Sequence, residues 1–280
     1  MSDPGPESVP EPLPASKRSD ADEGRAARYA ALETAAPTLD ESALRRQTRR
    51  SVLTGGAASL VALLGWRWLQ TGPDDNNIPV TLRRGHEFNE ALWRRLSGRT
   101  APTFDRSRSS MLRVNGRHGI GDEIDLVAWE LTVLGPDGSE WGRHVLADIT
   151  ALPKVELTVE HKCVEGWSHV VTWGGARFSD FAALYADRLG SESTDYVALV
   201  TPDRGYYVGL DMASMLNPQS LLAYELEGEP LTQDHGAPLR LATPNKYGIK
   251  CIKRIGTIQF TNDRPTDYWY ERGYDWYAQL

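Results

Sequence analysis

Cysteine is scarce in this chain: Cys163 and Cys251 are the only two among 280 residues. That rules out a disulfide scaffold, a four-thiolate zinc site and an iron–sulfur cluster, and without a Cys-x-x-Cys-His run no c-type haem can be attached. A basic excess is lacking too. With 31 Lys and Arg against 38 Asp and Glu, net charge −7, the composition gives no electrostatic footprint for nucleic acid. There is no repeat period and no strand–helix–strand alternation, which excludes solenoids and argues against a doubly wound sheet.

What is present is unevenly distributed. Residues 1–44 carry nine acids against four basic residues, six prolines and one aromatic, Tyr29. Such a segment buries too little apolar surface to offset the entropy of ordering, so a disordered acidic tail is expected there. The basic run Arg45-Arg46-Gln47-Thr48-Arg49-Arg50 follows, and then sixteen residues without a charge, Ser51 to Trp66. This run is just short of the roughly 17–25 residues that cross a bilayer. Trp66 and Trp68 at its end suit an interface and Arg67 can snorkel, so residues 51–69 make a marginal membrane anchor. The Arg block places the N-terminus inside and everything beyond about residue 70 outside, by the positive-inside rule. Thr48 to Leu53 also resembles a twin-arginine export signal, giving a signal or anchor over 45–71 without an obvious cleavage site. A buried core helix behind basic residues is the alternative.

Residues 72–79 are polar and turn-rich and read as a linker, leaving 80–280 for one folded domain. Its pattern is mixed and strand-rich, an α+β architecture. Met111 to Val114, Val155 to Lys162, Tyr196 to Thr201, Tyr206 to Leu210, Ala223 to Leu226, Pro230 to Leu231, Pro238 to Ala242 and Lys253 to Phe260 read as strands. Phe178 to Leu189 has helical apolar spacing with Ser179 as N-cap, and Asp211 to Leu216 is a short helix ended by Asn217-Pro218.

The chemistry concentrates at His161-Lys162-Cys163-Val164-Glu165-Gly166-Trp167-Ser168-His169, where a strand runs out into a glycine-bearing loop. Cationic neighbours would lower the thiol pKa and favour thiolate, a nucleophile and a ligand for soft metals. A small buried cysteine is the bland alternative, and a His161, Cys163, His169 copper or zinc site is a weak one because a fourth ligand is missing. A second cluster runs from Asp234-His235-Gly236-Ala237-Pro238-Leu239-Arg240 to Lys246-Tyr247-Gly248-Ile249-Lys250-Cys251-Ile252-Lys253. Planar Arg donors, accessible backbone N–H groups and two lysines three apart are what an anionic phosphate ester needs, although a solvated basic strand pair would look similar.

Taken jointly, these blocks resemble the sulfite oxidase family of molybdopterin-dependent oxidoreductases, which includes a periplasmic methionine-sulfoxide reductase branch. The similarity runs from about Met111 to the C-terminus and also takes in Gly205 to Val208, Ala223 to Glu225, Gly228 to Leu231 and Tyr268 to Ala278. The resemblance implies a sulfite-oxidase-type fold of mixed sheets and short helices, and a molybdenum-molybdopterin cofactor held to the protein through Cys163. It implies that His235 and Arg240 hold the pterin and its phosphate, that Cys251, Ile252 and Lys253 add backbone donors and an ammonium, and that Thr201 contacts the cofactor from its strand. His86 and Glu87 look similar to a Tyr-Glu pair on the N-terminal arm of the reductase branch.

Sulfite-oxidising members place arginines just after the metal-binding cysteine, whereas here Val164-Glu165-Gly166-Trp167 supplies an acid and an indole. A neutral S-oxide or N-oxide suits that loop better than a dianion. Trp167 and Trp173 are possible parts of an aromatic mouth, and Arg143 or Arg177 folding in would reverse the charge argument. The expected activity is oxygen-atom transfer from a small-molecule or methionine-sulfoxide substrate on the periplasmic or extracytoplasmic side. The alternatives are sulfite oxidation, or a cofactor-free membrane-tethered binding subunit. A folded cofactor protein crossing a membrane fits twin-arginine export. With no haem, flavin or cluster motif in the chain, electrons are expected from a membrane haem protein or a diffusible cytochrome.

Overall fold

The computed structural model describes residues 23–31, 41–76, 78–95, 100–191 and 194–280. It divides into two units, Met1–Trp68 and Leu69–Leu280. Most of the tail expected at 1–44 lies outside the described residues. Within it, residues 23–31 form a helix, α1, and a second helix, α2, begins at Glu41.

Helix α2 (Glu41–Thr71) is 31 residues long and takes in both the Arg run and the charge-free run. Alanine and leucine favour the helix, and Gly55, Gly56 and Gly65 have no neighbour within 4 Å. Its stretch Leu44–Thr71 is long and apolar enough to cross a membrane by length and composition. Within the 72–79 segment expected as a linker, β1 (Asp74–Asp75) pairs antiparallel with β2 (Ile78–Pro79) as a small hairpin. Helix α3 (Val80–Arg94) follows, and its buried Arg83 fastens the hairpin to the C-terminal turn: Nη1 donates to Tyr274 O at 2.9 Å, and Nη2 to Asp75 O and Tyr270 O at 3.1 Å each.

The remainder is built on two five-stranded sheets, the α+β architecture expected. One is ordered β4-β3-β12-β7-β8 and the other β10-β9-β6-β5 with β11 also on β9. The first contains β3 (Leu131–Leu134), β4 (Glu140–His144), β7 (Tyr196–Val200), β8 (Tyr207–Asp211) and β12 (Thr257–Thr261); only β12 with β3 is parallel. The second contains β5 (Lys154–Lys162), β6 (Ser168–Arg177), β9 (Leu221–Leu226), β10 (Glu229–Pro230) and β11 (Arg240–Ala242), all antiparallel. Short helices α4 (Leu146–Thr150), α5 (Phe178–Ala183), α6 (Ala186–Ser191) and α7 (Met212–Met215) lie between strands.

Several local expectations are corrected. Met111 to Val114 is not a strand: Met111 and Val114 are exposed, only Leu112 is buried, and its carbonyl accepts from a side chain instead of a ladder partner. The helix expected over Phe178 to Leu189 is broken between α5 and α6, and Arg177, not Ser179, stands at its N-cap. Tertiary contacts override the local spacing, because Tyr185 turns into the core, stacks on Trp141 and meets His144 Nε2 at 2.6 Å while Leu184 is left exposed. Lys253 to Arg254 precedes β12 as irregular chain, with Arg254 at φ +51°.

Strand β6 was missing from the sequence pattern, yet it holds the site together. It pairs with β5 along the whole length, from Lys154 opposite Ala176 to Lys162 opposite Ser168. On its other side it meets β9 with a register shift at Gly174–Gly175. A Cβ on Gly175 would lie 2.4 Å from Leu222 O, so the irregularity requires glycine.

Candidate active site

The β5–β6 connection is a five-residue loop, Cys163 to Trp167, closed by Cys163 N–H donating to Trp167 O at 2.9 Å and Gly166 N–H to Cys163 O at 3.1 Å. Gly166 takes φ +87°, which a side chain would oppose. Cys163 is thus the first residue past a fully paired strand, and it lines a cavity of about 250 Å³. Also on the wall are Arg113, Asn115 and His118 from the irregular 111–118 segment, Glu165 and Trp167 from the loop, and His235, Arg240, Gly248, Cys251 and Lys253 from the second cluster.

Arg240, on β11, is fully buried and joins two parts of that wall, its Nη1 donating to His235 O at 2.9 Å and its Nη2 to Cys251 O at 3.1 Å. Its guanidinium carbon lies 4.6 Å from the Trp173 ring centroid, and its buried Nε has no partner. Burial draws its pKa down to about 10. Lys253 donates to Asn115 O at 2.7 Å, Asp234 O at 2.8 Å and Gly116 O at 3.1 Å, and burial followed by the Arg240 charge draws it to about 8. Gly236, at φ +95°, allows this approach, since a Cβ there would sit 2.6 Å from Lys253 Cβ.

His235 is committed in the same way. Leu112 O can only accept, so Nε2 carries the proton and donates to it at 2.9 Å, leaving Nδ1 to accept from the Thr232 hydroxyl at 2.9 Å. Burial first, and then Arg240 and Lys253, lower its pKa and keep it neutral. His161, half-buried beside the 248 position on the cavity wall, is drawn to about 3 by desolvation, with the Arg240 charge adding to the effect. A Cβ on Gly248 would come within 2.8 Å of His161 Nε2, so the Gly248–Cys251 turn can pass this ring only as glycine.

The structure therefore brings together Cys163, His235, Arg240, Cys251 and Lys253 and leaves other expected residues apart. Ile252 is wholly in the core. Thr201 lies outside the cavity lining: its hydroxyl donates to Asp203 Oδ1 at 2.6 Å and accepts from Tyr206 N–H at 3.1 Å, closing the turn that presents Tyr206 to the cavity. His86 and Glu87 sit on α3, away from the lining, with Glu87 exposed. Lys250 is also withdrawn, paired in the interior with Asp267 Oδ2 at 2.6 Å. Trp173 is core, whereas Trp167 does line the cavity. Among the described residues no group of three or more His, Cys, Asp or Glu is placed to hold a metal ion, which removes the His161, Cys163, His169 triad.

The expected thiol activation by cationic neighbours is also corrected. Burial pushes the Cys163 pKa up; the Glu165 backbone N–H opposes it, the Glu165 carboxylate adds to the rise, and Arg113 and the Val164 N–H lower it by less. Sequence neighbours fail as activators because Lys162 turns to Glu160 Oε2 at 3.3 Å and His161 is neutral. Cys163 and Cys251 are both free thiols.

The wall suits molybdenum-molybdopterin. It offers one half-buried sulfur for a soft metal, a buried guanidinium with an unpartnered N–H, a lysine, and a turn narrowed to glycine at 248, with Tyr206, Trp269 and Tyr274 as flat surfaces on the same wall. Comparison with known proteins agrees. The family model described as "Oxidoreductase molybdopterin binding domain" matches residues 118–269, and the chain belongs to that family, the sulfite oxidase type of molybdopterin oxidoreductase. Molybdenum-molybdopterin is its cofactor.

YedZ1 of Azospira oryzae, whose name makes it provisionally a protein-methionine-sulfoxide reductase subunit, is 32% identical over 225 residues, covering 77% of this chain and 83% of that one. The protein-methionine-sulfoxide reductase catalytic subunit MsrP of Xanthomonas campestris pv. campestris is 35% identical over 121 residues, 39% of this chain and 38% of the relative. That of Campylobacter jejuni is 36% identical over 140 residues, 44% and 46% respectively. The matches to these two catalytic subunits thus span less than half of their length. The sulfane dehydrogenase SoxCD of Paracoccus pantotrophus aligns over 51% of this chain and 40% of its own, with TM-score 0.44 and 15% identity.

Proposed function

We propose that the chain is an oxygen-atom-transfer reductase acting on a sulfoxide, with methionine sulfoxide the first substrate to test. In the net reaction a sulfoxide, two electrons and two protons become a thioether and water. The bound cofactor supplies the metal that accepts the oxygen and the route for the electron pair.

The observation that carries the reading is the charge beside Cys163. The loop presents Glu165, whose carboxylate accepts from Trp167 Nε1 at 2.9 Å and Asn115 Nδ2 at 3.4 Å. The two arginines that would have reversed the argument are occupied elsewhere: Arg143 pairs with Glu140 at 2.9 Å and Glu130 at 3.3 Å, and Arg177 donates to Pro218 O at 3.4 Å. Of the cavity's own cations, Arg240 and Lys253 are tied to carbonyls and Arg113 stacks 5.1 Å from the Trp167 ring. A carboxylate near the reacting centre repels a dianion such as sulfite and leaves a neutral S-oxide unopposed. The names of the relatives support the same substrate class.

In this reading Cys163 attaches the metal, Arg240 and Lys253 supply the positive wall for the pterin phosphate, and the Gly248–Cys251 turn lies against it. Trp167 and Arg113 shape the mouth. Residues 45–71 act as export signal and anchor, 1–44 as a tail and the chain beyond as the catalytic domain on the outer side of the membrane. Electrons come from a membrane haem protein or a diffusible cytochrome. The length and apolarity of α2 and the Arg49-Arg50 pair support that placement.

Metal analysis of the protein from its own host should find one molybdenum per chain in the wild type and none in Cys163→Ala. Sulfoxide reduction with a reduced dye should exceed sulfite oxidation with an artificial acceptor; the opposite ratio would reverse the assigned direction.

A further inference from the structure

We propose that Asn115 is a positioning residue for the metal-binding sulfur, donating one side-chain N–H to Cys163 Sγ and the other to Glu165. The inference rests on the reading of Cys163 as the molybdenum ligand and adds a residue that neither the motifs nor the relatives assign.

Asn115 Nδ2 lies 3.8 Å from Cys163 Sγ, within reach of sulfur's larger radius, and 3.4 Å from Glu165 Oε2. A carboxamide nitrogen carries two hydrogens, so both contacts can be made at once. The chemistry calls for such a donor. A cysteine ligand is a thiolate, and beside it stands a carboxylate that Trp167 already holds. Two like charges side by side disfavour one another, and an amide between them with a hydrogen toward each relieves this without adding charge.

The support is rigid. Asn115 lies in irregular chain, yet its own carbonyl and that of Gly116 are gripped by Lys253, and the carbonyl of Leu112 is gripped by His235. Two side chains of the second cluster thus fix the backbone on either side of the amide. Partners that hold a metal's ligand tune the metal as well as orient the ligand. Hydrogen bonds to ligand sulfur withdraw electron density and are among the effects that set reduction potentials. Loss of the donor should therefore make the metal harder to reduce.

The test uses the full-length holoenzyme with Asn115→Ala and the isosteric Asn115→Asp, which keeps the side-chain shape and the main-chain carbonyl for Lys253 but has no N–H when ionised. Molybdenum content, the midpoint potential from redox titration and the molybdenum EPR signal are read together. Both variants should retain the metal and show altered EPR parameters, with the potential shifted negative, further in Asp than in Ala. Unchanged potential and spectrum in metal-loaded variants would overturn the role of Asn115 and leave the assignment of Cys163 standing. A wild-type protein without molybdenum would overturn both.

Discussion

The cavity has two walls of opposite character. The downstream wall, residues 235–253, is buried and built from strand β11, glycine-narrowed turns and a guanidinium that links two loops. The upstream wall, residues 112–118, has no regular structure, and its described anchors are mostly side chains reaching over from the other wall. The comparison teaches that a polar residue in a cofactor motif can serve the protein first. His235 and Lys253, expected to grip pterin and phosphate, hold the main-chain carbonyls of Leu112, Asn115 and Gly116. One set of donors thereby makes the positive wall and also shapes the irregular segment that faces Cys163.

The sharpest way to break this arrangement is Arg240→Met. The change removes the side-chain donors that meet His235 O and Cys251 O, the only such donors among the described residues, and each buried carbonyl left unpaired costs about 1–3 kcal/mol. A loss of roughly 3–5 kcal/mol in urea unfolding is expected, together with loss of bound molybdenum. A variant with wild-type unfolding midpoint and full metal content would show that the two loops are held by something else.

Lys253→Met tests the dependence of one wall on the other, with a smaller and more local effect. Releasing three carbonyls should raise amide exchange across 112–118 about tenfold to a hundredfold, for roughly 1.4–3 kcal/mol of local stability, while exchange in β6 and β9 stays near wild type. The pH dependence sharpens the assignment. Lys253 is drawn from its ordinary 10.5 down to about 8, so between those values the unfolded chain holds more of this proton than the folded one. On this group's account wild-type stability therefore rises with pH across that window, by at most about 1.4 kcal/mol per pH unit, and is lowest below it. Lys253→Met should lack that rise; parallel curves for the two proteins would count against it.

Which parts could be read in the chain follows the same division. Strand β5 was legible from alternation in Val155 to Lys162, and Cys163 could be placed at its end because a glycine three residues on marks the loop. Arg240 was legible as a strand residue in a specific motif. Strands β3 and β4 carry a hairpin signal of their own, the strand-favouring run Leu131-Thr132-Val133-Leu134 followed by Gly135-Pro136-Asp137-Gly138. Strand β6 was harder, because Gly174-Gly175 interrupts its pattern and makes sense only once the approach of Leu222 is known. Asn115 had no local signal at all. Its partner lies 48 residues downstream and the groups that fix its backbone lie more than a hundred away.

The N-terminal arm offers the smallest effect and the cleanest contrast. Motif similarity assigns Glu87 to the cofactor, yet the residue is exposed on α3 and is not among the residues that line the cavity, although helical spacing puts it on the same side as the buried Arg83 and Glu90. Arg83 there binds three carbonyls of the hairpin and the C-terminal turn, and Glu90 pairs with Arg94 at 3.1 Å and Arg264 at 2.9 Å, so the helix is fastened without any contribution from Glu87. Glu87→Gln should then alter unfolding stability by less than about 0.5 kcal/mol and leave molybdenum content at the wild-type level. A clear loss of metal in that variant would mean that α3 reaches the cavity in the loaded enzyme, and the upstream wall would have to be redrawn to include it.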